Sequence, residues 1–287
     1  IRWIPNIFLS QEEVDAFKSE STENDETETV NTSLIRIAPA AERGTETADD
    51  GVELIAITRG TAKGKLLIVR DPSRVILGVS SEEFNAKTPG LQLTELVAKY
   101  GGVAGTNAGG FNDENGRGNG GVPQGLVISG GALLHTARED ERYNVVGFDA
   151  DHILHVGTMT ADEALAQGLT DAVSFRTHDG LASSLIINGE VQSKNLGGGV
   201  NPRTAIGQCA DGSVLLLVLD GRSINTLGAT MQDVADIMLE YGAVNAGNLD
   251  GGSSSVMVYD GEIINNCASV TGPRNIPTAF IVLPEGD

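Results

Sequence analysis

The stretch MQDVADIMLEYGAVNAGNLDGGSSS, residues 231–255, holds a helix, a short strand and a glycine turn in one run. Met231, Val234, Met238 and Tyr241 recur at the spacing that lines one helix face, with Thr230 at the N-cap position and Gly242 as the stop. The apolar segment that follows ends in Asn248-Leu-Asp250-Gly-Gly252. An earlier stretch repeats this order. Leu93, Leu96, Val97 and Tyr100 share a face, Gly101 ends the helix, and GVAGTNAGG runs through Asn107 to Gly110. Each segment leads on to a hairpin pattern, so the pair reads as an internal duplication with two half-sites facing each other.

Around these segments the chain is β-rich from about residue 51. Apolar runs at 52–58, 65–69 and 74–79 predict strands, and Gly-containing dipeptides separate apolar strands at 125–134, 184–191 and 255–264. A fourth hairpin turns at Asp211-Gly212. Its second strand, Val214 to Leu219, is apolar throughout and is expected to be buried on both faces.

The 287 residues carry 19 Lys and Arg against 39 Asp and Glu, a net charge of −20, which argues against nucleic acid or an anionic membrane as the main partner. Hydrophobic residues at 40% suffice for a core, and aromatics at 4% leave Val, Ile, Leu and Ala to build it. Two cysteines, Cys209 and Cys267, exclude a disulfide-dense scaffold and a four-thiolate zinc site; they read first as separate thiols, with one bridge between them left open. Residues 1–50 stand apart as an acidic linker, polar from Glu20 to Thr32, preceded by an apolar patch at Trp3, Ile4, Ile7, Phe8 and Leu9 that suggests a membrane-proximal stub or a docking strand. Because residue 1 is Ile, an anchor upstream is compatible with the chain. Nothing in the pattern sets an oligomeric state.

Asp250 closes a buried segment, and Gly251 and Gly252 allow a ligand to approach the backbone while Ser253 and Ser254 project beside the carboxylate. Asp220 sits at the mouth of the buried strand with Arg222 two residues on. Pairing around Asp211-Gly212 brings Arg203 and Thr204 to the same end. Asn107, with Gly109, Gly110 and Phe111, occupies the matching place in the first half, where an amide could read sugar hydroxyls or an acetamido group. Of the four histidines, His178 lies in a polar turn and is the functional candidate, whereas His152 and His155 alternate within an apolar strand.

The loop FNDENGRGNGG, residues 111–121, resembles a calcium loop at Asp113, Asn115 and Gly116, but Phe111 stands at the first ligand position and Val122 where the closing Glu belongs. It is not an EF-hand, although a divalent cation such as calcium could bind less formally. No two-histidine metal motif, phosphate-binding loop, dinucleotide fingerprint or nucleophile elbow occurs.

The strings GTNAGGFN at 105–112, NPRTAIG at 201–207, LDGR at 219–222 and NLDGGSSS at 248–255 together resemble the phosphodiester glycosidase family. The resemblance spans residues 50 to 284 and leaves the acidic N-terminus outside, so 51–287 is expected to form the family's domain. It implies an α+β fold, with a curved mixed or antiparallel sheet core and packed helices, that hydrolyses a sugar-1-phosphodiester outside the cytoplasm or at the cell surface. A sugar-phosphodiester or phosphoglycan substrate is the partner expected. Asp220 and Asp250 are then the catalytic carboxylates, Arg203 and Arg222 the cations for the departing phosphate, and Asn107, Ser253 and Ser254 sugar-positioning groups. That chemistry requires no cofactor.

Overall fold

The computed structural model describes residues 29–39, 51–113, 118–138, 140–175, 184–192, 196–221, 226–269 and 272–286. These form three antiparallel sheets around one core, each covered on its outer face by one helix. The seven-stranded first sheet runs, in spatial order, Val52–Arg59, Ala62–Val69, Val214–Leu219, Arg203–Cys209, Ala243–Asn248, Ser184–Ile187 and Glu190–Val191. The second has five strands, Glu262–Ile263, Met257–Tyr259, Ala104–Asn107, Thr278–Val282 and Val75–Val79, and the third also has five, Ala132–Thr136, Leu126–Ser129, Leu169–Ser174, Tyr143–Asp149 and Leu154–Met159. Every pairing between these strands is antiparallel, which removes the mixed alternative for the described residues.

Strand alternation explains the layering. In the first sheet Leu67, Val69, Val214, Leu216 and Val218 face inward to a core shared with Leu77, Phe280, Met257, Val146 and Phe148. Leu66, Ile68, Leu215, Leu217 and Leu219 face outward against Met231, Val234, Ala235 and Met238 of a helix. Val214–Leu219 is therefore buried on both faces. Each of those outward leucines removed from water is worth about 1.5–3 kcal/mol. Phe148 and Phe280 meet edge to face at 6.1 Å, joining the third sheet to the second.

The helices are α1 (Leu93–Lys99), α2 (Ala161–Ala166) and α3 (Met231–Glu240). Helix α1 packs Leu93, Leu96 and Val97 on Val258, Ala279 and Ile281 of the second sheet, and α2 packs Ala161 and Ala164 on Leu126, Val145 and Ala172 of the third. Thr230 caps α3, its Oγ1 accepting from Asp233 N at 3.1 Å while the Asp233 carboxylate accepts from Thr230 N at 2.9 Å. Gly101 and Gly242 end their helices with φ of +65° and +86°. The hairpins at Gly130-Gly131, Asn188-Gly189 and Asp260-Gly261 place both turn residues at positive φ.

The helix-then-strand order recurs at α1 and α3, but the two following hairpins diverge. The hairpin at 126–136 joins the third sheet, whereas the one at 257–263 joins the second and pairs Met257 with Thr106. His152 lies in a turn at φ +60° rather than in a strand, while His155 is in the strand and bonds Asp149 at 2.8 Å. Within residues 1–50, the piece 29–39 docks on the body. Asn188 bridges Thr29 O and Asn31 N, Arg36 N donates to Ala210 O, and Ile35 is buried. Cys209 and Cys267 are both free thiols, and burial pushes that of Cys209 up to about 12. No helix among the described residues is long and apolar enough to cross a membrane.

Candidate active site

Asp250 stands just past the end of Ala243–Asn248, on a turn that the neighbouring strands hold at several points. Its backbone N donates to Ala108 O at 2.9 Å, and its carbonyl accepts from Asn107 Nδ2 at 2.6 Å. Glycine is required next to it. A Cβ on Gly251 would lie 2.9 Å from Pro202 O, and Gly252, at φ +65°, donates its N–H to the same carbonyl. Residues 252–254 then wind into a single 3-10 turn that carries the Ser254 hydroxyl back to the carboxylate, while Ser253 Oγ meets Arg274.

Burial pushes the Asp250 carboxyl up to about 7, against the opposing pull of hydrogen bonds from Ser254 and Gly251 and of the Arg274 charge. A carboxyl brought that close to neutrality can accept or release a proton under physiological conditions, which sets it apart as a candidate for acid-base work.

Asn107 is 1% exposed and its amide makes three hydrogen bonds inside the protein. Besides holding the Asp250 carbonyl, its Oδ1 accepts from Thr204 Oγ1 at 2.9 Å and from Val256 N at 3.1 Å. Thr204 Oγ1 also lies 3.2 Å from Ser255 Oγ. The amide expected to face a ligand instead ties the second sheet to two strand ends of the first. Gly109 and Gly110 serve the same junction, donating to Thr278 Oγ1 at 3.1 Å and Ser174 O at 3.2 Å, and Phe111 is buried.

Asp220 follows Leu219, whose partner across the ladder is Arg203. Its two carboxylate oxygens accept from Asn266 N at 2.9 Å and Asn266 Nδ2 at 3.1 Å. Pro202 separates the two acidic turns, since a Cβ on Gly221 would meet its Cγ at 2.7 Å and one on Gly251 its carbonyl. The register thus brings Arg203, Asp220 and Asp250 to one end of the sheet. The Arg203 side chain, however, turns to backbone. Nη2 donates to Gly198 O and Gly199 O, both at 2.7 Å, and Nε to Ala229 O, while burial lowers the pKa of the guanidinium. Arg222 and His178 lie outside the described residues.

Sequence reasoning missed Arg274 and gave Asp113 only a calcium-loop reading. The two form a fork-to-fork pair, Nη2 to Oδ1 at 2.8 Å and Nη1 to Oδ2, which holds the Asp113 carboxyl below its usual range. Arg274 also donates to Gly118 O at 2.9 Å and Ser253 Oγ at 3.3 Å, and lies 5.0 Å over the Phe111 ring. A signal was present. Pro273-Arg274-Asn275 echoes Pro202-Arg203-Thr204, an arginine locked just after a proline and shortly before or at a strand start. Asn266 offered none, because only the loop's return past Asp220 gives it a partner.

Similar folds occur in solved structures. The zebrafish N-acetylglucosamine-1-phosphodiester alpha-N-acetylglucosaminidase catalytic domain, auto-inhibited by pro-peptide, aligns over 91% of this chain and 88% of its own with a TM-score of 0.64 at 19% identity. A hypothetical protein from Synechocystis aligns over 82% of this chain and 62% of its own with a TM-score of 0.55 at 14% identity. Among curated sequences, the SPbeta prophage-derived uncharacterized protein YomE of Bacillus subtilis (strain 168) is 38% identical over 87 residues, which are 30% of this chain and 14% of YomE. The phosphodiester glycosidase family profile matches residues 100–283. That match runs over more than half of the chain and includes every turn of the site just described, and the protein belongs to the phosphodiester glycosidase family.

Proposed function

We propose that the protein hydrolyses the sugar C–O bond of a sugar-1-phosphodiester of the N-acetylglucosamine-1-phosphodiester kind, in a cell-envelope or exopolysaccharide glycan outside the cytoplasm. Family membership supports glycosidase-type chemistry. The observation that carries the reading is Asp250, a carboxyl pushed up to about 7 at the junction of two sheets and hydrogen-bonded by the Ser254 hydroxyl.

Breaking the anomeric C–O bond sends its electron pair out with a phosphomonoester, a leaving group stabilised by positive charge more than by a proton. Water must attack the anomeric carbon of an oxocarbenium-like transition state, directly or after a carboxylate has done so. In its ionised form Asp250 takes the water's proton or makes that attack. Asp220, oriented by Asn266, is the second carboxylate. Arg203 contributes a fixed positive charge rather than an open fork, because Nε and Nη2 are engaged, and Arg222 is the second cation assigned to the departing phosphate. The products are the free sugar and a phosphomonoester, and no cofactor enters the balance.

Incubation with an N-acetylglucosamine-1-phosphodiester in ¹⁸O-water, with and without chelator, tests this by mass spectrometry. Label on the sugar is expected. Label on the phosphate, lost with chelator, would make the protein a metal-assisted phosphodiesterase. Binding without any product would make it a glycan-binding module.

A further inference from the structure

Arg274 makes more polar contacts than any other side chain near Asp250, yet little of it is open to a ligand. Its side chain is 11% exposed. Nη1 and Nη2 grip Asp113, Nη2 reaches Gly118 O, and the guanidinium plane covers Phe111. Asp113 is itself fixed from the other side, accepting from Gly118 N at 2.7 Å. An arginine so fully paired is a poor clamp for a phosphate, because an incoming anion would have to displace a bidentate carboxylate. What remains is its contact with the catalytic turn. Nη1 donates to Ser253 Oγ, so the Ser253 oxygen is an acceptor there and its own hydrogen must point elsewhere.

Resting on the reading of Asp250 as the reacting carboxyl, we propose that Arg274, locked by Asp113, is a positioning residue that turns the Ser253 hydroxyl outward as a donor and holds a positive charge towards Asp250. The substrate group that the Ser253 hydrogen then meets is an acceptor oxygen, a ring hydroxyl or an acetamido carbonyl. Among the described residues, the charged groups that act on Asp250 are Arg274 and Asp113, with opposite sign. This gives the pair a signature that mere packing lacks. Neutralising Arg274 raises the titration midpoint of Asp250, and neutralising Asp113 lowers it.

The experiment follows the Asp250 carboxyl directly, by isotope-edited infrared titration of the full chain, alongside the pH profile of kcat/KM. Arg274→Gln is expected to move the midpoint up by about one pH unit, and Asp113→Asn to move it down by a smaller amount. Arg274→Lys keeps the charge but loses the fork, so its midpoint stays near wild type while kcat/KM falls about tenfold through the loosened Ser253. Shifts of the same sign in Arg274→Gln and Asp113→Asn, or a Lys variant shifted as far as Gln, would overturn the proposal. If Arg274→Gln does not fold, the downward shift in Asp113→Asn decides. Opposite shifts in an enzyme that turns over no phosphodiester would leave the positioning network standing and remove the proposed function.

Discussion

The segments at 93–111 and 231–255 begin alike and end in opposite conditions. Each runs from an amphipathic helix through a glycine stop into a buried strand that closes on an asparagine. In the first, Asn107 makes three hydrogen bonds and the glycines beyond it donate to Thr278 and Ser174. In the second, Asn248 Oδ1 is buried with no hydrogen-bond partner among the described residues, and burial pushes the Asp250 carboxyl up to about 7. A buried polar group left unpaired costs about 1–3 kcal/mol. One segment thus satisfies its polar groups and holds the sheets together, and the other leaves a buried amide oxygen and a buried carboxyl less well satisfied.

The sharpest way to break this contrast is to neutralise the carboxylates. Asp250→Asn and Asp220→Asn should each lower turnover of a sugar-1-phosphodiester by about a thousandfold or more, with unchanged circular dichroism. Near-normal rates in both would remove the chemical half of the comparison. Asn107→Ala should act on the holding side. Losing three buried hydrogen bonds should lower unfolding free energy in urea by about 2–4 kcal/mol, and a variant as stable as wild type would show that the clamp holds nothing.

Two pH measurements sharpen the contrast further. If Asp250 reacts ionised, kcat/KM climbs about tenfold per pH unit below a midpoint near 7 and levels above it. A profile flat from pH 5 to 8 would exclude it as the titrating group. The smallest effect is on stability. The folded carboxyl titrates near 7 and the ordinary value is 3.8, so the native state holds the extra proton between them and stability falls as pH rises through that window. Asp250→Asn removes the penalty and should stabilise the protein by about 1–3 kcal/mol at pH 8 but scarcely at pH 4, as read by thermal unfolding at both pH values.

Much of this was legible in the residues because it depends on local pattern. The unbroken apolar run 214–219, the stop at Gly242 and the paired positive-φ turns each follow from neighbours a few residues away. Helix α2 was not visible, since six residues are too short for a periodic signal, although Thr160 and Glu163 form a capping box. The position of Asp250, just past the end of a buried strand and before two glycines, was legible because strand end and turn are local signals. The engagement of Asn107 could not be read. Whether an amide faces a ligand or a backbone depends on Thr204, Val256 and Asp250, at least 97 residues away in sequence. The same distance hid the Arg274–Asp113 pair, and Arg203 was placed correctly by register while its side-chain direction was set by the loop at Gly198 and Gly199.

The three-way grip of Asn107 also limits how the molecule can be remodelled. Because one side chain ties the Asp250 turn to strand ends of two sheets, a change that shifts the turn also loosens the sheets from each other. Gradual redesign is closed off at that position. Changes that the fold tolerates would therefore fall in the loops around the Asp250 turn rather than in the turn itself.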